Sequence, residues 1–510
     1  MITAEAPLLA RTQLGVPIAA TMLVCAEAAD WPDIVAQVAE AVSRVATVRD
    51  QSDEGTDVRL WLADGARIRI SAAPPVRPEA HPSATTQVTA VVEEAGDLGA
   101  GRIAEILTAV ERIPLTGREM RALHEQMPLT SGLPGFLPSN CLARVAPVLT
   151  VHHMTDFLVM VDAVRAMGVP ADAITVLDKQ YRYRHASRVD ADLRRAGVHV
   201  WPWTQAGEAL VAHAARAAGS GRACALVDDG GYTLPVLIDR HPHLLGAFMG
   251  LVEQTMSGIT KLEPFGAALP VPVFSVAQSR LKATIEPFGV ADAAIRNVLA
   301  LLPQEKFEGQ PALVLGFGRI GEQVAEQLRA RRMRVAVYDN ELVRTVAAHE
   351  RGFLTGRRLS ELLRDHQPLL VVGSTGRTSL RGEHAAALLR DCYLVSTTSR
   401  DREFALAELA EQARTISDAG LVGMRLHLAH GPTVTALGDG MPINFHYAES
   451  MPNKYADLVL ASMLVGLAAL AAPGRSGLTA GHNVAATDRI LESCGLLERY
   501  YARFGPQPRR

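Results

Sequence analysis

Hydrophobic and polar positions alternate with two different periods in the first hundred residues. Apolar runs with the spacing of strands lie at 18–25, 58–63, 66–71 and 87–92. Amphipathic segments with the spacing of helices lie at 31–48 and 101–113. Asp64 and Gly65 separate two of the strand runs and predict a hairpin turn. Residues 1–100 are therefore predicted to form a small α+β extension, which we interpret as a packing or oligomerisation module.

From residue 144 the pattern changes to short, fully apolar runs separated by helical segments. The predicted strands lie at 148–151, 174–177, 198–203 and 224–227. Such alternation is typical of a doubly wound parallel sheet, which binds ligands at the carboxyl ends of its strands. The pairs His152-His153 and Asp228-Asp229 both follow a strand directly. We interpret them as part of a site, with a helix cap as the alternative for the aspartates.

A second unit of this kind begins with the apolar run 312–315, which leads into a glycine-rich turn. Gly316 allows the tight turn, Gly318 lets the backbone approach a pyrophosphate, and Gly321 lets helix and strand pack closely. Because strand, turn and helix follow in this order, the pattern predicts a Rossmann-like dinucleotide site rather than a chance glycine cluster.

The rest of this unit identifies the dinucleotide. Arg319 and Ile320 begin a predicted helix whose free N–H groups can bind phosphate. Asp339 ends the next strand, where a carboxylate binds ribose hydroxyls and repels a 2′-phosphate, so the pattern predicts NAD rather than NADP. Later predicted strands at 369–373 and 393–398 bring Thr375 and Thr397 to the same edge.

Composition sets limits on the whole chain. At 510 residues we expect two or three domains, and a net charge of −3 gives no electrostatic argument for nucleic acid. The five cysteines are far apart and form no CxxC pair, so we expect reduced thiols and no metal site. The start of the sequence lacks the features of a secretory signal, and the apolar segment 458–472 is short for a membrane span. We therefore expect a cytoplasmic protein with no membrane segment.

Seven short motifs follow one another in a recognisable order. They are HHMTDF (152–157), DDGG (228–231), EQTMSG (253–258), SRLKATIE (279–286), LGFGRIG (315–321), GSTG (373–376) and LAHG (428–431). In this order the chain resembles S-adenosylhomocysteine hydrolase from about residue 102 to about residue 472.

The resemblance implies two Rossmann-like domains, with the NAD domain inserted into the substrate domain, and a homo-oligomer, either a dimer or a tetramer. The corresponding boundaries are 1–100 for the extension, 101–286 and 443–472 for the substrate domain, 287–442 for the NAD domain and 473–510 for the tail.

The resemblance also implies a chemistry. NAD oxidises a ribose 3′-hydroxyl, a thiol leaves from C5′ by elimination, water adds, and the ketone is reduced again. By resemblance, Lys282 accepts the hydroxyl proton, Asp229 removes the 4′ proton and His153 protonates the leaving group. Glu286 holds the ribose hydroxyls. Spacing alone would make Lys282 and Glu286 a surface ion pair.

Two threonine-like positions, Thr255 and Ser257, match family residues that touch the nicotinamide half of NAD. Other positions depart from the family. Gln254 replaces a glutamate, and Phe157 replaces an adenine-binding acid two residues beyond Thr155. The segment containing Asn444 reads GMPINF where the family has GHPSF.

Further departures concern two loops. The family's NIGHF pattern reads STTSR at 396–400, and its STQD segment reads YRYRH at 181–185. Arg182, Arg184 and His185 are interpreted as a solvated basic loop or as a phosphate or carboxylate site. Groups that recognise the base and thioether are thus mostly changed, whereas redox and proton-transfer groups are mostly kept.

Three hypotheses follow. The first is a divergent paralogue that oxidises a sugar hydroxyl and eliminates water or a thiol from a small, nucleoside-like substrate. The second is a genuine adenosylhomocysteinase with compensating changes. The third is a catalytically silent NAD-binding regulator, which the joint presence of Lys282, Asp229 and His153 disfavours.

Overall fold

A computed structural model describes residues 19–24, 28–54, 57–73, 86–181, 183–266, 269–399, 402–446 and 453–506. Cys25, Arg182, residues 74–83 of the Pro-rich loop and the last four residues, 507–510, lie outside these ranges.

The N-terminal unit is a five-stranded antiparallel sheet covered by two helices, which confirms the predicted α+β class. In spatial order its strands are Ala19–Val24, Thr86–Glu94, Arg67–Ala73, Asp57–Leu62 and Val48–Glu54. The hairpin turn at Gly65 is confirmed, with φ at +82°. The predicted helix 31–48 is too long: it ends at Ser43, and Val48 begins an edge strand. That strand was not predicted because most of its side chains are charged, which is common at exposed sheet edges.

The seven-stranded sheet is parallel throughout and doubly wound. In spatial order its strands are Gly481–His482, Pro272–Ser275, Phe248–Glu253, Ala223–Asp228, Val145–Thr150, Thr175–Asp178 and His199–Pro202. The loops after Asp228, Thr150 and Asp178 therefore lie side by side at one edge, because these three strands are neighbours.

The eight-stranded sheet holds the glycine-rich turn and ends in an antiparallel extension. In spatial order its strands are Leu354–Thr355, Arg334–Tyr338, Pro311–Leu315, Leu370–Gly373, Cys392–Ser396, Thr433–Leu437, Gly423–Leu428 and Ala413–Asp418. The predicted α/β class with two Rossmann-type sheets is confirmed.

Helices cover both faces of the two parallel sheets. Over the described chain the helices are Trp31–Ser43, Ala100–Val110, Gly117–Gln126, Pro128–Gly132, Thr155–Ala166, Ala186–Arg195, Ala206–Gly219, Leu234–Arg240, Met256–Leu262, Arg280–Leu301, Arg319–Ala330, Leu342–Glu350, Leu359–His366, Leu406–Glu411, Asn453–Ala471, Pro473–Ser476, Val484–Ser493 and Leu496–Phe504.

One helix, Arg280–Leu301, connects the two sheets. Its Pro287-Phe288-Gly289 segment has the composition of a helix break, yet the helix is continuous with Pro287 inside it. A Cβ on Gly289 would lie 2.7 Å from the Tyr455 ring, so this glycine allows the ring to pack against the helix. Tertiary packing thus compensates for the hydrogen bond that proline cannot make.

The apolar helix Asn453–Ala471 is the only described helix long and apolar enough to cross a membrane, and 78% of its most apolar window is buried within the protein. It belongs to the core of the seven-stranded sheet, together with Leu149, Val252 and Phe274. The chain therefore returns to this sheet after completing the eight-stranded one.

Candidate active site

The carboxyl ends of both parallel sheets contribute to one cavity of about 1440 Å³. Most of the residues predicted from the sequence line it: Asp229, Gln254, Thr255, Ser257, Lys282, Glu286, Gly318, Arg319, Ile320, Thr375, Thr397 and Asn444. The others do not reach its surface: His153, Thr155, Phe157, Gly316, Gly321 and Asp339.

The glycine-rich turn has the geometry that a bound pyrophosphate requires. Gly316 has φ at +90°, and a Cβ on Gly321 would lie 1.9 Å from the Gly316 carbonyl oxygen. A Cβ on Gly318 would meet only the Arg344 guanidinium, at 3.1 Å, so space above Gly318 is open to a ligand. The helix Arg319–Ala330 begins there without a side-chain cap, which leaves its first N–H groups for phosphate.

Asp339 supports this turn from the end of the neighbouring strand. One carboxylate oxygen accepts the Phe317 N–H at 2.7 Å, and the other accepts the Glu341 N–H at 2.9 Å. The carboxylate is half-buried and fixed beside the turn, at the position where ribose hydroxyls bind in such units. The residues present therefore fit NAD.

Glu403 organises the next two loops of the cofactor edge and was missed by sequence reasoning. Its side chain is 1% exposed and accepts hydrogen bonds from the Thr375 N–H (3.0 Å) and hydroxyl (2.8 Å). The hydroxyls of Ser379 (2.6 Å) and Thr398 (3.0 Å) also donate to it. Burial raises the pKa of this carboxyl, although these donors oppose the shift. Thr375 is thereby held at the cavity wall.

Lys282 and Glu286 form a buried pair at the cavity, so the surface ion pair suggested by spacing is wrong. Lys282 Nζ lies 3.0 Å from Glu286 Oε2, and the two side chains are 9% and 14% exposed. Lys282 also donates to the Gln254 carbonyl oxygen. Burial raises the pKa of Glu286, and the ammonium of Lys282 opposes that shift. The pair presents one cation and one carboxylate to a ligand.

Asp229 lies in a buried cluster with two residues that follow neighbouring strands. Lys179 Nζ is 3.0 Å from Asp229 Oδ1, and His152 Nε2 is 3.3 Å from Oδ2. Burial alone would raise the pKa of Asp229, but the charge and hydrogen bond of Lys179 outweigh it and lower the pKa below its usual value. Asp229 is therefore ionised and paired at neutral pH.

His152 is neutral in this cluster. Burial and then the charge of Lys179 lower its pKa to about 3. Lys179 Nζ lies 3.1 Å from Nε2, so Nε2 accepts from the ammonium and the ring proton is on Nδ1. Nδ1 contacts the Tyr183 hydroxyl. Phe445 stacks on the imidazole with a centroid distance of 3.8 Å, which adds an apolar wall to the cavity.

His153, the predicted proton donor, points away from the cavity. Its ring is 1% exposed, stacks on Phe157 at 5.7 Å and lies 3.6 Å from Asp178. Burial lowers its pKa, and Asp178 opposes the shift. His152, its neighbour in the sequence, lines the cavity instead. The sequence pattern placed two adjacent histidines after this strand, but it did not show which of their side chains faces the cavity.

The loop at 181–185 buries its aromatic side chains and exposes Arg184, and both interpretations of its basic residues stay predictions. Tyr181 and Tyr183 are buried at 8% and 6% exposure, while Arg184 is exposed.

Two other carboxyls lie beside the Asp229 loop. Asp228 accepts from the Thr233 N–H at 2.8 Å, and Glu253 accepts from the Thr255 N–H at 2.8 Å. Among the described residues, no group of three or more His, Cys, Asp or Glu side chains is placed to hold a metal ion.

Residues 295–379 match the model of the D-isomer specific 2-hydroxyacid dehydrogenase, NAD binding domain. An uncharacterized protein of Mycobacterium tuberculosis is 28% identical over 304 residues, covering 56% of this chain and 51% of that protein. An adenosylhomocysteinase of Nostoc is 24% identical over 241 residues, covering 46% of this chain and 56% of the enzyme. The chain thus spans about half the length of each of these relatives.

An S-inosyl-L-homocysteine hydrolase of Methanopyrus kandleri is 23% identical over 368 residues, covering 70% of this chain and 84% of that enzyme. The sheet order, the glycine-rich turn and the matched domain define an α/β protein with a dehydrogenase-type NAD-binding domain. NAD is its cofactor, and the chain is similar to adenosylhomocysteinases and related hydrolases.

Proposed function

We propose that this chain is an NAD-dependent enzyme that oxidises a sugar hydroxyl, eliminates a 5′ leaving group and restores the hydroxyl, on a nucleoside-like substrate other than S-adenosylhomocysteine. The observation that carries the proposal is the placement of the Lys282–Glu286 pair in the same cavity as the open glycine turn. A lysine and a carboxylate beside a hydride acceptor are suited to alcohol oxidation.

Bound NAD would supply the hydride acceptor for the alcohol carbon. Lys282 Nζ accepts the hydroxyl proton in its neutral amine form, which then becomes the ammonium, and Glu286 holds the sugar hydroxyls beside it. Loss of the carbon-bound hydrogen and the hydroxyl proton leaves a ketone, which acidifies the hydrogen on the adjacent carbon. Gln254 contributes its carbonyl oxygen to Lys282 and so fixes the lysine head.

Elimination needs one group that takes a proton from carbon and one that protonates the leaving group. Asp229 is ionised at neutral pH and lines the cavity, so it takes the first role. The Lys179 ammonium lies against it and faces the cavity, and we assign the donor role to Lys179 in place of His153, with His152 as a hydrogen-bond acceptor that positions the ammonium. Proton loss at carbon and departure of the leaving group form a double bond, to which water adds in the reverse sense.

The substrate differs from S-adenosylhomocysteine in this proposal because the adenine-binding positions of the family have changed. Phe157 is fully buried against His153 and presents no polar group to a base. Gln254 and Asn444 line the cavity as neutral amides. Polar sites discriminate strongly against ligands that leave buried groups unpaired.

We further propose that the protein is cytoplasmic, forms a homo-oligomer, and belongs to a paralogous branch of the adenosylhomocysteinase family.

The test uses NAD-loaded protein with adenosine, inosine and their S-homocysteinyl derivatives. Alcohol oxidation requires no leaving group, so we expect NADH absorbance with at least one nucleoside, and little thiol release from S-adenosyl-L-homocysteine. Thiol release equal to that of a genuine adenosylhomocysteinase would establish the alternative, genuine hydrolase activity. Absence of NADH absorbance with all of these compounds would refute the proposal and favour a silent NAD-binding regulator.

A further inference from the structure

Resting on the proposed function, we propose that the cavity contains an anion subsite between Lys261 and Arg402, so that the substrate carries a carboxylate or phosphate group. The two residues reach the cavity from opposite sides. Lys261 lies in the last turn of the helix Met256–Leu262 beside the seven-stranded sheet, and Arg402 follows the strand Cys392–Ser396 of the eight-stranded sheet.

Lys261 is half-buried and is held with its charge uncompensated. Its Nζ donates to the Gly230 carbonyl oxygen at 2.5 Å and lies 4.3 Å from the Tyr232 ring centroid. Both partners orient an ammonium without neutralising it. No carboxylate in the described part of the chain forms an ion pair with Lys261. A fixed, partly desolvated ammonium of this kind favours an anionic ligand.

Arg402 brings a second positive charge to the same place. Both residues line this one cavity. Desolvation lowers the pKa of Lys261 and Asp228 opposes the shift, whereas the positive charge of Arg402 acts in the same direction as desolvation. The adjacent carboxylate, Glu403, is already occupied by the hydroxyl and N–H donors of its own loops. Among the described side chains, none forms an ion pair with Arg402. Two neighbouring cations without a shared anion are unfavourable unless a ligand supplies one.

Two buried acids, Asp228 and Glu253, act on Lys261 but do not neutralise its positive charge. Asp228 and Glu253 both act on Lys261, but burial raises the pKa of each. Asp228 is also engaged by the N–H groups of Tyr232 and Thr233. Arg240, another cavity residue without an ion pair among described side chains, adds to the positive field. Lys261, Arg402 and Arg240 therefore bring positive charge to the cavity beside the carboxylates of Asp229 and Glu286.

The chemistry of the two side chains defines the ligand class. A guanidinium presents paired donors that match the oxygens of a carboxylate or phosphate, and an ammonium adds a point charge. The pyrophosphate of NAD has its own donors at the glycine turn, near Arg319 and Arg344. Lys261 and Arg402 thus remain available to bind the anionic group of the substrate.

The experiment uses full-length protein saturated with NAD, so that the cofactor site is filled. Inorganic phosphate is titrated first, and thermal unfolding reports its binding. Adenosine, adenosine 5′-monophosphate and adenosine 5′-carboxylate are then compared by calorimetry, and the last two distinguish phosphate from carboxylate. The variants are Lys261→Met, Arg402→Met and Lys261→Arg, with Lys306→Met as control, because Lys306 is exposed outside the cavity.

We expect phosphate to raise the melting temperature of the wild type, Lys261→Arg and Lys306→Met, and to have little effect on the two cavity Met variants. At least one anionic nucleoside should bind about tenfold more tightly than adenosine, and each cavity Met variant should abolish that preference. Equal binding of neutral and anionic ligands, or phosphate binding that both Met variants retain, would refute the subsite. Phosphate binding without oxidation of any nucleoside would refute the proposed function alone.

Discussion

Lys179 Nζ lies 3.0 Å from Asp229 Oδ1, and the two side chains are 3% and 4% exposed. The residues are fifty positions apart in the sequence, yet they follow strands that flank the same central strand. The carboxylate that we propose as the base is thus held beside a buried cation. This contact keeps Asp229 ionised. The stability of the fold therefore depends on both charges being present.

Asp229→Asn should strongly destabilise the protein, because it leaves the Lys179 ammonium buried without a counter-charge. Losing one partner of a buried ion pair costs about 3–5 kcal/mol. Denaturant unfolding should show this loss, and the double variant Lys179→Met with Asp229→Asn should recover much of it. Glu308→Gln is the control: its partner Arg332 is 81% exposed, so the change should be under ~1 kcal/mol. An equal loss of unfolding free energy in Asp229→Asn and Glu308→Gln would contradict a buried pair of Lys179 and Asp229.

Acid should destabilise the protein through His152. Its pKa is about 3 in the fold, whereas an unfolded histidine titrates near ~6.5, so between these values only the unfolded chain is protonated. The free energy of unfolding therefore falls as pH decreases across this window, by up to ~1.4 kcal/mol per pH unit for one histidine. His152→Gln should reduce the slope between about pH 6.5 and pH 5. His349→Gln, on the exposed surface, should leave the slope unchanged.

Two glycines of the cofactor turn should respond differently to alanine. In Gly321→Ala the new Cβ would meet the Gly316 carbonyl oxygen at 1.9 Å, so the turn itself must deform and stability should fall. In Gly318→Ala the nearest atom belongs to the flexible Arg344 side chain, so the fold should persist while the amount of co-purified NAD decreases. Calorimetry and assay of released nucleotide separate the two effects. Full NAD content in Gly318→Ala would contradict a pyrophosphate at this position.

Asp339→Ala tests the choice of dinucleotide. Removing the carboxylate eliminates the ribose contact and the repulsion of a 2′-phosphate, so NAD affinity should fall and the preference over NADP should narrow. Because Asp339 also accepts the Phe317 N–H, Asp339→Asn serves as a control that keeps an acceptor without the charge. Undiminished NAD binding in both variants would remove Asp339 from the cofactor site.

Lys282→Met and Asp229→Asn should fail at different steps with a nucleoside that gives NADH absorbance in the wild type. Lys282→Met removes the hydroxyl proton acceptor, so the absorbance change should slow by about 10²- to 10⁴-fold. Asp229→Asn should retain the absorbance change in a single turnover and release no product. Arg280→Met is the matched control in the same helix, since the Arg280 side chain is 68% exposed and pairs with Asp488 and Glu492 outside the cavity. Normal oxidation by Lys282→Met would leave only a structural role for the Lys282–Glu286 pair.

The sequence by itself determined the features that depend on local order along the chain. One continuous segment contains the glycine spacing, the strand–turn–helix pattern and Asp339. The local sequence pattern was therefore enough to predict the NAD site. The strand ends carrying His152, Asp229 and Thr375 were likewise predicted, because parallel sheets place strand ends at one edge.

Tertiary structure alone decided which side chains meet there. Lys179 joined Asp229 because their strands flank a third, a strand order that no local pattern contains. His152 rather than His153 reached the cavity because adjacent residues after a strand point in different directions. Lys282 and Glu286 were buried by packing that helical spacing does not encode. Local periodicity fixes where the backbone runs, whereas burial and charge pairing depend on contacts between segments distant in the sequence.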